Sequence, residues 1–252
     1  KKIFKKQKKK KIFIKKKNKK YKNLNLKIFY SNFIKKINST RKKKLRICTL
    51  CQKSFKLYSS IISILLTKNV WIPLDEDLPK NILEYIIKLS KTDLVLVDTV
   101  NELKYKNLFD KLKIKYLNID SIILDKSIIT SSNNLKYKEK DLAIIFFTSG
   151  STGKPKGVKI TNKNFISCLN GQLNHIYKYF KKTKLVFGDY HHTSFIISLT
   201  ILLPCVYLCA KISPAIKVED KLFVLNHIVK NKVNCIVTLP STINTIKSLY
   251  KN

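Results

Sequence analysis

The chain has 252 residues, in which 52 lysines and arginines face 15 acidic residues, so its formal net charge at pH 7 is +37. This length is enough for one large α/β domain or two small ones. The composition excludes a secretory signal and a membrane span, because the most apolar segment, residues 195–210, is shorter than the ~20 residues that a bilayer requires. We therefore expect a cytoplasmic protein.

The lysine excess has two explanations that stay open. Only Arg41 and Arg46 are arginine, and lysine, isoleucine and asparagine are abundant throughout, as A/T-rich coding would produce. Diffuse positive charge also attracts polyanions through counterion release. Because arginine is scarce and no known nucleic-acid-binding motif is present, we expect no specific nucleic-acid partner.

The pattern of the chain changes at Leu45. Residues 1–44 are predicted to be a lysine-rich leader that is poorly ordered in part, since blocks of like charge repel each other. Residues 45–252 alternate short apolar strands with helices, which predicts an α/β fold of mostly parallel sheets with helices on both faces. The predicted elements are strands at 45–51, 70–74, 94–97, 142–147, 185–187, 206–212 and 235–239, helices at 58–66, 81–89, after Asn162, after Phe195 and at 221–230, and one more helix and strand within 101–124.

The most informative segment is the loop that follows the apolar strand at 142–147. Three of the five glycines of the chain, Gly150, Gly153 and Gly157, fall within eight residues here. Hydroxyls and backbone N–H groups donate hydrogen bonds to phosphate oxygens, small residues let the backbone come close, and the neighbouring lysines supply positive charge. The loop lacks the glycine-lysine ending of a Walker A motif. A surface turn without a ligand is the alternative, since the same residue types form turns.

The sequence Thr-Ser-Gly-Ser-Thr-Gly-Lys-Pro-Lys-Gly at 148–157 resembles the signature of the adenylate-forming enzymes, the superfamily of acyl-CoA synthetases, amino-acid adenylation domains and luciferases. Weaker matches flank it at Trp71–Asp75, Leu78-Pro79, 191–195 and Thr238–Ser241. The resemblance covers roughly residues 45–249. It implies part of the large N-terminal AMP-binding domain of these enzymes, truncated, with the phosphate loop at 148–157.

The resemblance implies a reaction in which a small-molecule carboxylate attacks ATP to form an acyl-adenylate and pyrophosphate. Coenzyme A or a carrier-protein thiol would then accept the acyl group. Thr152 and Lys154 would be the catalytic residues. The residues that would bind ATP are Thr148, Ser149, Gly150, Ser151, Thr152, Gly153, Lys154, Lys156 and Gly157.

Several parts of the family pattern are absent from these 252 residues. There is no Y-G-x-T-E segment, no T-G-D segment, no C-terminal catalytic lysine, and no methionine, even at position 1. We therefore expect a fragment whose ligands for Mg²⁺ lie mostly elsewhere. The alternative is an inactive remnant that binds polyanions unspecifically through its basic surface.

His191, His192 and Ser194 are the predicted substrate pocket. The resemblance places this segment beside the acyl substrate. Amino-acid-activating members carry an Asp where His192 stands, and an imidazole cannot replace that carboxylate as the counterion of an ammonium. A plain carboxylic acid is therefore the favoured substrate, while packing histidines remain the alternative.

Six cysteines raise the question of a metal site, above all Cys48-x-x-Cys51 and the pair at Cys205 and Cys209. Both pairs lie in apolar segments, and free cysteine buries readily as a small hydrophobic residue. We expect core packing, and no metal site is predicted. Cys168 and Cys235 are interpreted as packing residues as well.

Overall fold

The computed structural model describes residues 12–16, 19–37, 44–125, 127, 137–150, 153–180 and 184–249. The chain forms two compact units, one of residues 24–167 and the other of residues 1–23 and 168–252. Each unit has its own sheet with helices. Within the described residues, no helix is both long and apolar enough to cross a membrane.

The unit of residues 24–167 is built on a six-stranded sheet in the described part of the chain. The elements are α1 (Asn23–Ile37), β3 (Arg46–Leu50), α2 (Phe55–Leu66), β4 (Val70–Pro73), α3 (Lys80–Leu89), β5 (Leu94–Val97), α4 (Thr99–Lys111), β6 (Lys115–Asn118), a 3₁₀ turn (Ile119–Ser121), β7 (Leu142–Thr148), β8 (Lys156–Thr161) and the start of α5 (Asn162–Tyr179). The strand order is β6-β5-β3-β4-β7-β8, and all neighbours are parallel except β7 and β8.

The sequence dictates this parallel arrangement. All four residues of β5 are buried, as expected of a strand that helices cover on both faces. Side-chain caps fix the starts of two helices: Ser54 accepts from Leu57 N at 3.1 Å, and Asp98 accepts from Asn101 N at 2.9 Å. The helices therefore begin just beyond the carboxyl ends of the strands, which leaves these edges for loops.

Trp71 joins the central strands of this unit. It is fully buried, and its indole Nε1 donates to Thr49 Oγ1 at 2.9 Å. Its ring meets Phe146 of β7 edge to face, with 5.7 Å between ring centroids. Trp71 therefore links β4 to β3 through a hydrogen bond and to β7 through an aromatic contact.

Helix α1 lies inside the segment that the sequence analysis predicted as leader, and no element was predicted there. Leu26, Phe29 and Phe33 are fully buried, and their spacing of three to four residues forms one apolar helix face. The Phe29 ring stacks on Phe33 at 6.1 Å and meets Phe55 of α2 edge to face at 6.3 Å. The lysines between these apolar residues make the helical spacing difficult to recognise in the sequence.

The second unit contains, among its described residues, a five-stranded sheet of order β11-β9-β10-β1-β2, in which β1 and β2 alone pair antiparallel. Its elements are β1 (Ile12–Lys16), β2 (Lys19–Lys22), the end of α5, β9 (Val186–Asp189), α6 (Ile197–Tyr207), β10 (Lys211–Pro214), α7 (Val218–Leu222), α8 (Val224–Asn231), β11 (Cys235–Ile236) and α9 (Pro240–Leu249).

Two predicted boundaries in this unit were wrong. The strand expected at 206–212 begins only at Lys211, because α6 continues to Tyr207. An apolar run lacks the periodicity that would separate helix from strand. The helix expected at 221–230 is interrupted at Phe223, whose φ of −107° and ψ of 64° are not helical.

Three buried cysteines, Cys48, Cys51 and Cys205, have hydrogen-bond partners in the fold. Cys48 Sγ lies 3.1 Å from Thr92 Oγ1, while the Cys51 and Cys205 thiols each donate to a backbone carbonyl at 3.3 Å. Burial raises the pKa of Cys48 to about 12, which keeps the thiol protonated. Cys168 differs from the packing prediction, since it is exposed on α5.

His227 of α8 is buried beside Tyr190. Its Nδ1 lies 2.9 Å from the tyrosine Oη, and the two rings meet edge to face at 5.3 Å. Burial is the main cause that lowers the pKa of His227, while Asp220 acts in the opposite direction. The neutral imidazole is therefore the form that the fold accommodates.

We expect Phe33→Ala to lower the free energy of unfolding by about 3–5 kcal/mol, because it removes a fully buried ring. Urea unfolding at pH 7 measures this change. Lys35→Ala, on the same helix but exposed, is the matched control and should change it by less than about 0.5 kcal/mol. Equal effects of the two variants would show that α1 is not part of the core.

Stability should fall as the pH drops below about 6.5, because the folded chain binds the His227 proton more weakly than the unfolded chain does. His227→Gln should remove part of this pH dependence between pH 7.5 and 5.5. His175→Gln, at an exposed site, is the control. Urea midpoints at the two pH values test it, and an unchanged pH dependence in His227→Gln contradicts the assignment.

Candidate functional site

The predicted phosphate loop is the tip of an antiparallel hairpin. Strands β7 and β8 pair from Leu142↔Thr161 to Thr148↔Lys156. No strand was predicted between the loop and the following helix. Strand β8 forms because the chain returns along β7, and it is mostly exposed. The backbone pairing of β7 with β8 therefore holds the two ends of the loop, Thr148 and Lys156, opposite each other.

Two glycines shape the described part of the loop. Gly153 N donates to Gly150 O at 3.0 Å, which closes a tight turn. A Cβ atom at position 150 would lie 2.2 Å from the carbonyl oxygen of Lys154, so a larger residue would force the backbone apart. Gly153 has a φ of +78°, in the left-handed region that side chains disfavour. The turn therefore depends on glycine at both positions.

The loop presents donors and positive charge to solvent. Thr148, Ser149, Lys154 and Lys156 are all exposed. No acidic residue occurs in the sequence between positions 141 and 189, so no neighbour along the chain neutralises these lysines. Such a surface suits an anion with several oxygens. Ser151 and Thr152 lie outside the described residues, and their predicted roles stay predictions.

His191, His192 and Ser194 lie in the other unit, in the turn that follows β9. Strand β9 ends at Asp189, so none of the three is a strand residue. The structure places all three beyond the carboxyl end of a parallel strand. Ligands of open α/β sheets commonly bind at such edges.

Hydrogen bonds assign the proton of each imidazole. His191 Nε2 lies 3.1 Å from Val237 O, and since a carbonyl only accepts, Nε2 carries the proton. His192 Nδ1 accepts from Ser194 N at 3.3 Å and lies 3.0 Å from Ser194 Oγ. The neutral form of His192 therefore carries its proton on Nε2 and is a donor there.

Thr238 was not among the predicted site residues. It follows β11 directly after Val237, so the His191 hydrogen bond brings the ends of β9 and β11 together. Its Oγ1 is buried and has no hydrogen-bond partner among the described residues. A buried hydroxyl without a partner is rare in native structures. Its position in the Thr-Leu-Pro-Ser match was the available sequence signal.

Comparison with known proteins identifies the family. The model of the family described as "AMP-binding enzyme" matches residues 20–251. Among curated proteins, the chain is 31% identical over 127 residues to polyketide synthase PksN of Bacillus subtilis (strain 168), covering 47% of this chain and 2% of that protein. It is 32% identical over 125 residues to gramicidin S synthase 2 of Aneurinibacillus migulanus, covering 49% of this chain and 3% of that protein. The chain therefore spans only a small part of these two relatives.

Solved structures share the fold. O-succinylbenzoate coenzyme A synthetase from Bacillus subtilis, in complex with ATP and magnesium ion, superposes with a TM-score of 0.76 at 14% identity, over 94% of this chain and 48% of that chain. The adenylation domain AlmE of Vibrio cholerae, in complex with glycyl-adenosine-5'-phosphate, gives 0.78 at 16% identity, over 98% and 49%. The chain spans about half of these two proteins.

The family match and the shared fold agree with the loop sequence at 148–157 and with the mainly parallel α/β architecture. Since the match extends over nearly all of the described residues, the chain belongs to the AMP-binding enzyme family, within the superfamily of adenylate-forming ligases.

Proposed function

We propose that the chain contributes the phosphate-binding part of an enzyme that activates a carboxylate as an acyl-adenylate and releases pyrophosphate. The observation that carries this proposal is the loop at the tip of the β7–β8 hairpin, with its turn from Gly150 to Gly153 and its exposed hydroxyls and lysines. The family match supports the general reaction.

The residues fit a polyphosphate. In the proposed complex, Thr148 and Ser149 donate to phosphate oxygens, and the glycines let the backbone approach them. Lys154 and Lys156 offset the negative charge. Ser151 and Thr152 would add hydroxyls. Bound Mg²⁺ would neutralise part of the triphosphate charge, and we expect its protein ligands mostly outside these 252 residues.

The chemical step needs two anions to meet. A carboxylate oxygen of the substrate attacks the α-phosphorus, the bond from that phosphorus to the bridging oxygen breaks, and pyrophosphate leaves with the electron pair. The protein's part is to hold both groups in line and to stabilise the charge that develops on the leaving pyrophosphate. We assign this second role to Lys154 and Thr152.

The substrate and acceptor are proposed from the second unit and from the relatives. His191, His192 and Ser194 would contact the acyl substrate. Because the neutral form of His192 is a donor at Nε2, it suits an oxygen acceptor and not an ammonium group. A plain carboxylic acid is the favoured substrate, and coenzyme A or a carrier-protein thiol is the proposed acceptor.

Lys154→Gln should weaken Mg·ATP binding by about tenfold, since it removes a cation that contacts phosphate. Gly150→Ala should weaken it at least as much, because its Cβ collides with Lys154 O. Titration calorimetry of the chain measures both affinities. Lys159→Gln removes the same charge from exposed β8 and serves as the control. If Lys154→Gln binds ATP as Lys159→Gln does, the loop assignment is wrong.

His192→Asp should shift the substrate preference from propionate toward L-alanine by at least about tenfold, because it restores a carboxylate at the position where amino-acid-activating members carry one. Exchange of pyrophosphate into ATP, measured with each acid, gives this ratio. An unchanged ratio would contradict the role of His192. Absence of exchange with every carboxylic acid tested would contradict activity of this chain itself.

A further inference from the structure

A cavity lies at the opposite edge of the six-stranded sheet, away from the phosphate loop. It has a volume of about 440 Å³ and is lined by Lys44, Arg46, Val70, Lys91, Asp93 and Leu142. These residues stand at or just before the amino ends of β3, β4, β5 and β7, four neighbouring strands. Thr148 is six residues along β7 from Leu142, which is roughly 20 Å at the rise of a strand.

Arg46 is held in place in this cavity. Its Nη1 donates to Ser90 O at 2.8 Å, and its backbone N donates to Asp93 Oδ2, also at 2.8 Å. A guanidinium has five N–H donors in a fixed fork, and the bond to Ser90 uses one of them. An oriented guanidinium that keeps further donors matches a phosphate group.

Helix capping alone does not explain the positive charge of this edge. Helices α2, α3 and α4 end here, and Lys68, Lys91 and Lys113 follow them with φ between 50° and 61°, at positions where a cation complements the helix carbonyls. Three helix ends carry only about −1.5 charges. We count the charged residues in the described part of the turn before each of the strands β3 to β7, together with the first residue of each strand. The cations are Lys44, Arg46, Lys68, Lys91, Lys113, Lys115, Lys138 and Lys140, eight in all, and the three acids are Asp93, Glu139 and Asp141.

Part of the positive charge of this edge lines the cavity, where Lys44, Arg46 and Lys91 stand against one acid, Asp93. Lys88 and Lys111, in the last turns of their helices, are both paired with Glu84 at 2.7 Å and 2.9 Å. Lys44 Nζ lies 3.9 Å from Asp141 Oδ1, which is at the limit of an ion pair. Val70 and Leu142 give the cavity an apolar floor beside its cations. The surroundings therefore suit an anionic group attached to a small organic body.

We propose that this amino-edge cavity binds the phosphate group of a small molecule, at a site separate from the phosphate loop. Arg46 binds the phosphate oxygens through its fork, Lys91 and Lys44 add charge, and the apolar floor contacts the body of the ligand. The site is independent of the proposed adenylation and would survive its failure.

The test is a titration of the ¹⁵N-labelled chain with inorganic phosphate, followed by amide chemical shifts and compared with potassium chloride at equal ionic strength. We expect saturable shifts at Arg46, Lys91 and Asp93 that chloride does not cause. A parallel titration with AMP separates two sources of the phosphate group. If AMP binds the cavity at least tenfold more tightly than inorganic phosphate, the ligand is an organic phosphate. If the two affinities are equal, the ligand is the phosphate ion itself. Shifts confined to Gly150 and Gly153, or equal shifts with chloride, overturn the proposal.

Variants separate binding from folding. Arg46→Gln should weaken phosphate binding at the cavity at least tenfold, and Arg46→Lys, which keeps the charge but loses the fork, should have a smaller effect. Lys91→Gly removes a cation and also relieves a φ of 50°, so the melting temperature should stay equal or rise while binding weakens. Lys106→Gln, exposed on α4, is the charge-matched control. Undiminished binding by Lys91→Gly and Arg46→Gln would refute the site.

Discussion

The backbone ladder between β7 and β8 is the constraint on which the functional part of this molecule depends. It holds Thr148 opposite Lys156, so the seven residues between them must turn within one strand spacing. That closure brings position 150 against the carbonyl of Lys154 and leaves room only for glycine. Trp71 packs on Phe146 of β7, so the rigid core supports the strand from which the loop extends. A small, hydroxyl-rich and cationic loop is thereby presented at the edge of the sheet.

Charge in the unit of residues 24–167 follows the direction of its helices. Asp98 caps α4 at the carboxyl edge of the sheet and also accepts from Gln52 N at 2.7 Å, while lysines follow the helix ends at the amino edge. In a chain of net charge +37, two of the few acids, Asp98 and Glu102, thus lie at the N-terminus of α4, where negative charge complements the helix dipole. The abundant lysines fill positions where glycine is usual, which leaves the amino edge electropositive around Arg46.

Most elements of the fold could be predicted from the sequence, because buried parallel strands such as β5 are short apolar runs separated by helices of clear periodicity. Helix α1 could not, since its apolar face is diluted by lysines. The loop at 148–157 was found from its clustered glycines and its resemblance to a family signature. The hydrogen bond of His191 to Val237 O and the Thr238 hydroxyl, which has no partner in the part of the chain that the structure describes, could not be predicted, because both depend on how the ends of β9 and β11 meet in space.

A crystal structure of the chain with Mg·ATP tests the central claim most directly. The account predicts that the β- and γ-phosphates lie within the turn from Gly150 to Lys156, with Lys154 Nζ within hydrogen-bonding distance of a phosphate oxygen. Triphosphate density at another edge of the sheet, with this turn lacking any phosphate, would contradict it.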